Sequence, residues 1–290
     1  LAAYEGDGNG LDQLYNDASA VGADTISTAV PLDEAIVDDA VAEAPVARVK
    51  RPKLVDPDTD GMAALSQTAT VEALADGIAQ TGVDAGLILC TLRHFSEAQS
   101  METVRLVEQF AGTRVIGFDI AGDEAGFPID NHISAFAFAR EKGLHVTAHA
   151  GEAKGPESVR ETLEHFHPTR IGHGVRSVED DALLAFLKSE DIHLEVCPTS
   201  NVQTNVVAAI EDHPAEKIWR NGVSMSINTD GRALSDVTLT QEYDSMQRFF
   251  GWQKERLLRC NLEAVRHAFT SEEKKAALRE RLLGAWRAQS

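Results

Sequence analysis

The sequence predicts an α/β protein, a TIM-type (β/α)8 barrel with extra helices at its C-terminal end. Three observations carry that prediction. From about residue 70, short apolar runs alternate with segments whose apolar residues recur at helical spacing. The short runs are almost continuously apolar, as strands of a parallel sheet covered on both faces must be. Finally, polar residues capable of chemistry sit at or just past the end of nearly every run: Arg93 and His94, Asp119, His149, His173, Asn201 and Asp230. An open doubly wound sheet would spread those residues along an edge. A closed barrel brings the C-terminal ends of its strands to one mouth, and it is the preferred reading.

Taken in order, helical spacing over 71–80 precedes a strand over 85–90, and a helix over 98–110 precedes a strand over 114–119. A helix over 131–142 leads to a strand over 145–149, and a helix over 157–166 to a strand over 169–173. A helix over 179–188 precedes a strand over 192–197, and a short helix over 215–220 a strand over 224–229. Residues 235–286 read as helical in three pieces, broken near Gly251 and Thr270. These are six strand units where a barrel has eight. The remaining two are expected from the first 70 residues or from sequence outside this chain, so the barrel is read as incomplete at its N-terminus.

Residues 1–60 differ in character, and the chain is divided into an acidic N-terminal segment (1–60) and a barrel domain (61–290). In the first segment the basic residues Arg48, Lys50, Arg51 and Lys53 form one cluster beside Pro52, and there is no histidine. A short acidic helix over 33–43 and a short strand over 46–49 are the elements expected there. The chain begins with Leu1 rather than Met, and an upstream piece is expected to lie outside it.

Composition narrows the partners. The 290 residues carry 27 basic and 46 acidic side chains, a formal charge of −19. Such a surface repels phosphate backbones and anionic lipids, so neither a nucleic-acid polymer nor a membrane is an expected partner. No apolar run approaches the ~20 residues of a membrane span. Cys90, Cys197 and Cys260 are far apart and odd in number, as expected of a protein of the reducing cytoplasm.

The candidate site is read from the strand ends. His149 and Asp230 are nitrogen and oxygen donors suited to Zn²⁺, although two ligands are fewer than a catalytic zinc takes. Glu152 follows His149 by three residues, a place suited to a general acid. His173 could orient or deprotonate a metal-bound water, with Gly172 and Gly174 beside it allowing close approach. Asp119 lies in the stretch Phe-Asp-Ile-Ala-Gly-Asp-Glu (118–124) and is read as a substrate contact together with Gly122, which can offer a bare backbone N–H to a heterocycle. Each residue also has a plain structural reading. A lone strand-end histidine is more often a hydrogen-bonding core residue, and Asp119 is as readily a loop cap. Arg93 and His94 read as structural, the Cys197–Pro198 corner and His145 as packing, and His165 and His167 as surface or cap residues. It is the joint occurrence at successive strand ends that points to a site.

These stretches, in this order, resemble the adenosine/AMP deaminase family of zinc-dependent barrel enzymes. The matching motifs are Phe118–Glu124, His-Ala-Gly-Glu (149–152), Arg-Ile-Gly-His-Gly-Val (170–175), Glu-Val-Cys-Pro-Thr-Ser-Asn (195–201) and Ser-Ile-Asn-Thr-Asp (226–230), with Cys-Thr-Leu-Arg-His (90–94) agreeing as well. The signature of the other zinc deaminases, His-x-Glu with Pro-Cys-x-x-Cys, is absent.

The resemblance implies a purine nucleoside substrate, adenosine first among them, converted to inosine and ammonia. It implies zinc bound by His149 and Asp230, Glu152 as proton donor to purine N1, and His173 assisting the attacking water. Asp230 would also hold that water, and the Gly122 N–H would contact the ring. Two departures accompany it. The family's His-x-His pair has no counterpart before His94, and Gly231 stands where the family has a second aspartate that bonds purine N7. Arg232 and Asp236 are the nearby polar residues that could compensate. The alternatives are a catalytically silent homologue that binds a nucleoside or partner, and a barrel hydrolase acting on an amide or cyclic ureide.

Overall fold

The computed structural model describes residues 62–289. The expected helix over 33–43, the strand over 46–49 and the division after residue 60 lie outside the described residues. The described chain runs α1 (Met62–Thr81), β1 (Leu87–Leu92), α2 (Glu97–Gln109), β2 (Val115–Ala121), α3 (Ile133–Glu141), β3 (Thr147–Ala150), α4 (Pro156–Phe166) and β4 (Arg170–His173). It continues with α5 (Asp181–Ser189), β5 (His193–Val196), α6 (Pro198–Gln203), α7 (Ala215–Asn221), β6 (Met225–Ile227), α8 (Arg232–Ser235), α9 (Leu239–Phe250), α10 (Lys254–His267) and α11 (Glu272–Gln289). Among the described residues no helix is long and apolar enough to cross a membrane.

All six strands are parallel and each lies beside the next in sequence. β1 pairs with β2, and β3 to β6 form one run. A single bridge between Phe118 and Val146, with the Phe118 N–H donating to the His145 carbonyl at 2.9 Å, joins the two groups. A strand order that never reverses is that of a barrel wall, whereas a doubly wound sheet reverses at a switch point. Each helix between strands supplies the crossover that a parallel pair requires.

Local chemistry explains where the helices start. Ser96 caps α2 and Thr238 caps α9, each in a reciprocal capping box with Gln99 and Gln241. Asp180 caps α5 by accepting from the Ala182 and Leu183 N–H groups. The core has two main parts. Leu183, Leu184, Leu187, Leu194, Ile218 and Met246 pack around β4–β6, and Phe118, Phe136 and Phe166 fill the space beside β1–β3. Phe136 and Phe166 stack with ring centres 3.8 Å apart.

Of the boundaries that differ from expectation, two have a clear physical reason. His145 and Val146 lie before the regular ladder of β3, tied to β2 by that one bridge, so the strand begins at Thr147. Past β5, the Cys197–Pro198 corner opens α6, because proline is preorganised for a helix's first turn. Asn201 therefore lies inside a short helix rather than at a strand tip.

Candidate active site

His149 leaves β3 opposite Gly172 of β4, to which it is the paired residue in the parallel ladder. Its Nδ1 lies 3.0 Å from Oδ2 and 3.3 Å from Oδ1 of Asp119, a fully buried carboxylate on β2. Asp119 thus stands behind the ring and orients it, leaving Nε2 as the nitrogen available to a ligand, an arrangement common to metal-binding histidines. Burial alone would lower the His149 pKa, but Asp119, Asp230 and Glu152 outweigh it and raise the value to about 9.

His173 and Asp230 reach the same region through an uncommon backbone. Both have left-handed φ, 62° for His173 at the end of β4 and 56° for Asp230 three residues past β6. Non-glycine residues adopt that conformation at a cost of about 1–3 kcal/mol, and such outliers cluster at functional sites. His173 Nε2 lies 3.5 Å from Glu152 Oε2 and 3.9 Å from Asp230 Oδ2, and its ring centre is 5.2 Å from that of His149. Ser200 Oγ donates to Asp230 Oδ2 at 2.7 Å, and Thr204 Oγ1 to Glu152 Oε1 at 3.2 Å. Four of the predicted residues, His149, Glu152, His173 and Asp230, therefore share one basin.

A buried chain of hydrogen bonds sets the proton positions on His173. The Ala215 N–H donates to His213 Nδ1 at 3.1 Å. A backbone N–H only donates, so Nδ1 accepts. Burial pushes the His213 pKa down to about 3. Neutral His213 therefore carries its proton on Nε2, which lies 3.1 Å from Asn201 Oδ1. The Asn201 amide nitrogen in turn donates to His173 Nδ1 at 3.1 Å. A neutral His173 so held has its hydrogen on Nε2, directed at Glu152 and Asp230.

The donor set suits zinc in kind. Two imidazoles are gathered with three carboxylates, the buried Asp119 and the partly exposed Glu152 and Asp230, an excess of acidic groups that a cation would neutralise. Ligand atoms of His173, Cys197 and Asp230 lie within 4.8 Å of one another. Burial, followed by the Asp230 carboxylate, raises the Cys197 thiol well above its ordinary pKa. A thiol so held protonated is a weak ligand.

The other predicted residues fall as follows. Gly122, with φ of 100°, is exposed just past β2. Gly231 precedes α8, and both Arg232 and Asp236 are exposed. Arg93 is buried and donates to the His149 carbonyl at 2.9 Å, so it supports the site from below. His94 is exposed beside Phe95 and Phe127. His145 stacks on Phe269, His165 is exposed, and His167 ends α4 in a left-handed turn. His213 and the structural part played by Asn201 escaped sequence reasoning. The only local signal is the His213-Pro214 pair opening α7, which reads as an ordinary helix start.

Fold and site together define a parallel (β/α) barrel with imidazoles and carboxylates gathered at one mouth, the architecture of the metal-dependent deaminases. A family model described as adenosine deaminase matches residues 53–285, and the chain belongs to that family. An adenosine deaminase of Salmonella schwarzengrund is 38% identical over 217 residues, 75% of this chain and 65% of that protein. The chain thus spans just under two thirds of the curated relatives it matches. Among solved structures, an adenine deaminase from Arthrobacter aurescens superposes with a TM-score of 0.71 at 26% identity, covering 78% of this chain and 71% of that one. An amidohydrolase from Burkholderia ambifaria with bound Zn superposes at 0.72 and 25% identity, over 77% and 62% of the two chains.

Proposed function

We propose that this chain is built for zinc-dependent hydrolytic deamination of a 6-aminopurine nucleoside, with adenosine giving inosine and ammonia. The observation that carries this reading is the convergence of Glu152 and Asp230 on His173 Nε2, at 3.5 and 3.9 Å. His149 and Asp230 would hold the metal. When bound, zinc supplies a Lewis acid that lowers the pKa of water toward ~7.

The chain's own groups account for the proton movements. Glu152 in its acid form donates to purine N1, which removes the ring's aromatic resistance to addition at C6. Water adds at C6 and gives one proton to Asp230, which passes it to the 6-amino group as that departs as ammonia; the second proton returns to Glu152 as the ring carbonyl forms, restoring the acid. The Nε2–H of His173 can direct the oxygen of the attacking water. With Nδ1 already accepting from Asn201, a neutral His173 has no lone pair facing the mouth. Of the two roles expected for it, orienting the water fits this tautomer and removing its proton does not.

The Gly122 N–H is the ring contact proposed at the mouth, whereas Gly231 has no side chain to bond purine N7. The A. aurescens neighbour is an adenine deaminase and the Salmonella relative an adenosine deaminase, so base and nucleoside are both candidates. A second reading has its own observation behind it. No histidine precedes His94 in this chain, so the family's His-x-His pair is not among its residues; a protein that lacks the pair altogether would bind a purine without turnover.

One experiment separates the readings. Purified protein supplied with zinc is incubated with adenosine, adenine and AMP while the adenine absorbance is followed, with zinc content and nucleoside binding measured on the same sample. Loss of absorbance with bound zinc supports the deaminase. Binding without absorbance change supports the silent homologue, and neither binding nor turnover removes both.

A further inference from the structure

Glu124 lies in the connection after β2, two residues beyond Gly122, and is 4% exposed. Its carboxylate accepts five hydrogen bonds. Oε1 takes them from the Gly151 N–H at 2.7 Å and Ser158 Oγ at 2.6 Å. Oε2 takes them from the N–H groups of Glu152 at 3.1 Å, Ala153 at 2.7 Å and Lys154 at 2.9 Å. Four of these donors are consecutive backbone amides in the loop from β3 to α4.

A loop that follows no ladder leaves its N–H groups without strand partners, and a buried N–H must find one. Successive amides that converge form an anion-binding concavity. Here the anion is the protein's own carboxylate, supplied by the neighbouring barrel unit. Burial works against ionised Glu124, but Ser158, the Lys154 and Gly151 amides and the Arg93 charge outweigh it, and its pKa lies below the ordinary value. Arg93 also grips the His149 carbonyl. Arg93 thus holds the tip of β3 while Glu124 holds the loop beyond it.

We propose that Glu124 is a positioning residue for Glu152: it moulds the Gly151–Lys154 loop so that the Glu152 carboxyl meets His173, and it thereby sets turnover without touching substrate. The inference rests on the deaminase reading for its kinetic consequence only. The Glu152 main chain is fixed by Glu124, while its carboxylate lies 3.2 Å from Thr204 Oγ1 and 3.5 Å from His173 Nε2. Displacement of an acid by about 1 Å costs on the order of 100-fold in rate. Glutamine at 124 is a severe change despite its matching shape. One of its two polar atoms becomes an NH₂ facing N–H donors, and some of those amides lose their acceptor.

The test compares zinc-supplied wild type, Glu124→Gln and Ser158→Ala by amide hydrogen exchange and steady-state kinetics. In Glu124→Gln, loop amides 151–154 exchange at least ~10-fold faster while Ile171 and Leu194 in β4 and β5 are unchanged, as a local opening requires. In the same variant kcat falls roughly 100-fold and KM stays within about threefold, because the loss is of acid placement rather than of binding. Ser158→Ala removes one of the five bonds and falls between, and it gives the same comparison should Glu124→Gln fail to fold. Retained loop protection in Glu124→Gln, or lost protection with kcat unchanged, overturns the proposal. A wild type inert toward purines defeats the deaminase reading instead, and the exchange comparison then still decides whether Glu124 holds the loop.

Discussion

The ring of His149 lies against the α-carbon of Gly172, so close that a β-carbon there would come within 3.0 Å of the imidazole. The two residues face each other in the β3–β4 ladder, and the bare strand gives the ring its resting place in front of Asp119. Gly172→Ala is expected to push the ring off Asp119. Zinc titration should show affinity reduced by about 10- to 100-fold, the usual effect of disturbing a ligand's support. Urea unfolding should show a loss of about 1–3 kcal/mol from overpacking. Unchanged zinc affinity would mean that the ring does not serve as a ligand in this pose.

The tautomer of His173 can be read directly. Imidazole ¹⁵N spectra of wild type at neutral pH should show His173 and His213 both protonated at Nε2. Asn201→Asp puts a carboxylate opposite Nδ1 in place of a donor, and the proton is expected to move to Nδ1. A wild-type His173 with its proton on Nδ1 would contradict the chain of bonds running from the Ala215 N–H.

Glu242 should govern part of the pH dependence of stability. It is fully buried on α9, with Oε1 accepting from the Thr199 N–H at 3.0 Å and Oε2 without a hydrogen-bond partner among the described residues. Burial, opposed by the Thr199 bonds, raises its pKa to about 7 from an ordinary 4.5. A raised pKa means that the folded protein prefers the protonated acid. The stabilisation is complete below pH ~4.5 and is lost as pH rises through about 7, a change on the order of 3 kcal/mol. Denaturant titrations from pH 4 to 8 on Glu242→Gln should lack this component. A variant with the wild-type slope would show that Glu242 does not titrate in this range.

Glu152→Gln keeps the Thr204 contact in reach but has no acidic proton to give. Turnover of adenosine is expected to fall by about 10²–10⁴, the usual worth of a general acid, with nucleoside binding retained. A variant that keeps more than a tenth of wild-type kcat would remove Glu152 from the acid's role.

The unit repeat and the residues that meet in the candidate site were legible along the chain. His149, Glu152, His173 and Asp230 stand out because the apolar strand pattern is short-ranged and marks its own ends. The loop after β3 places Glu152 three residues beyond His149 whatever the rest of the fold does. In residues 1–60 only a short helix over 33–43 and a short strand over 46–49 can be read, since no periodicity runs through the rest.

Other features depend on contacts that no local pattern encodes. Asp119, read as a substrate contact or a cap, stands behind His149 because the β2–β3 packing places it there. Glu124 meets a loop 27 to 30 residues away, and His213 reaches His173 only through Asn201. By itself the sequence determined which side chains end the strands, because alternation and strand length are local properties. Only the tertiary structure decided how they meet. Strand stagger and the left-handed turns at His173 and Asp230 are settled by packing of the whole wall, and they aim side chains in directions that spacing along the chain cannot express.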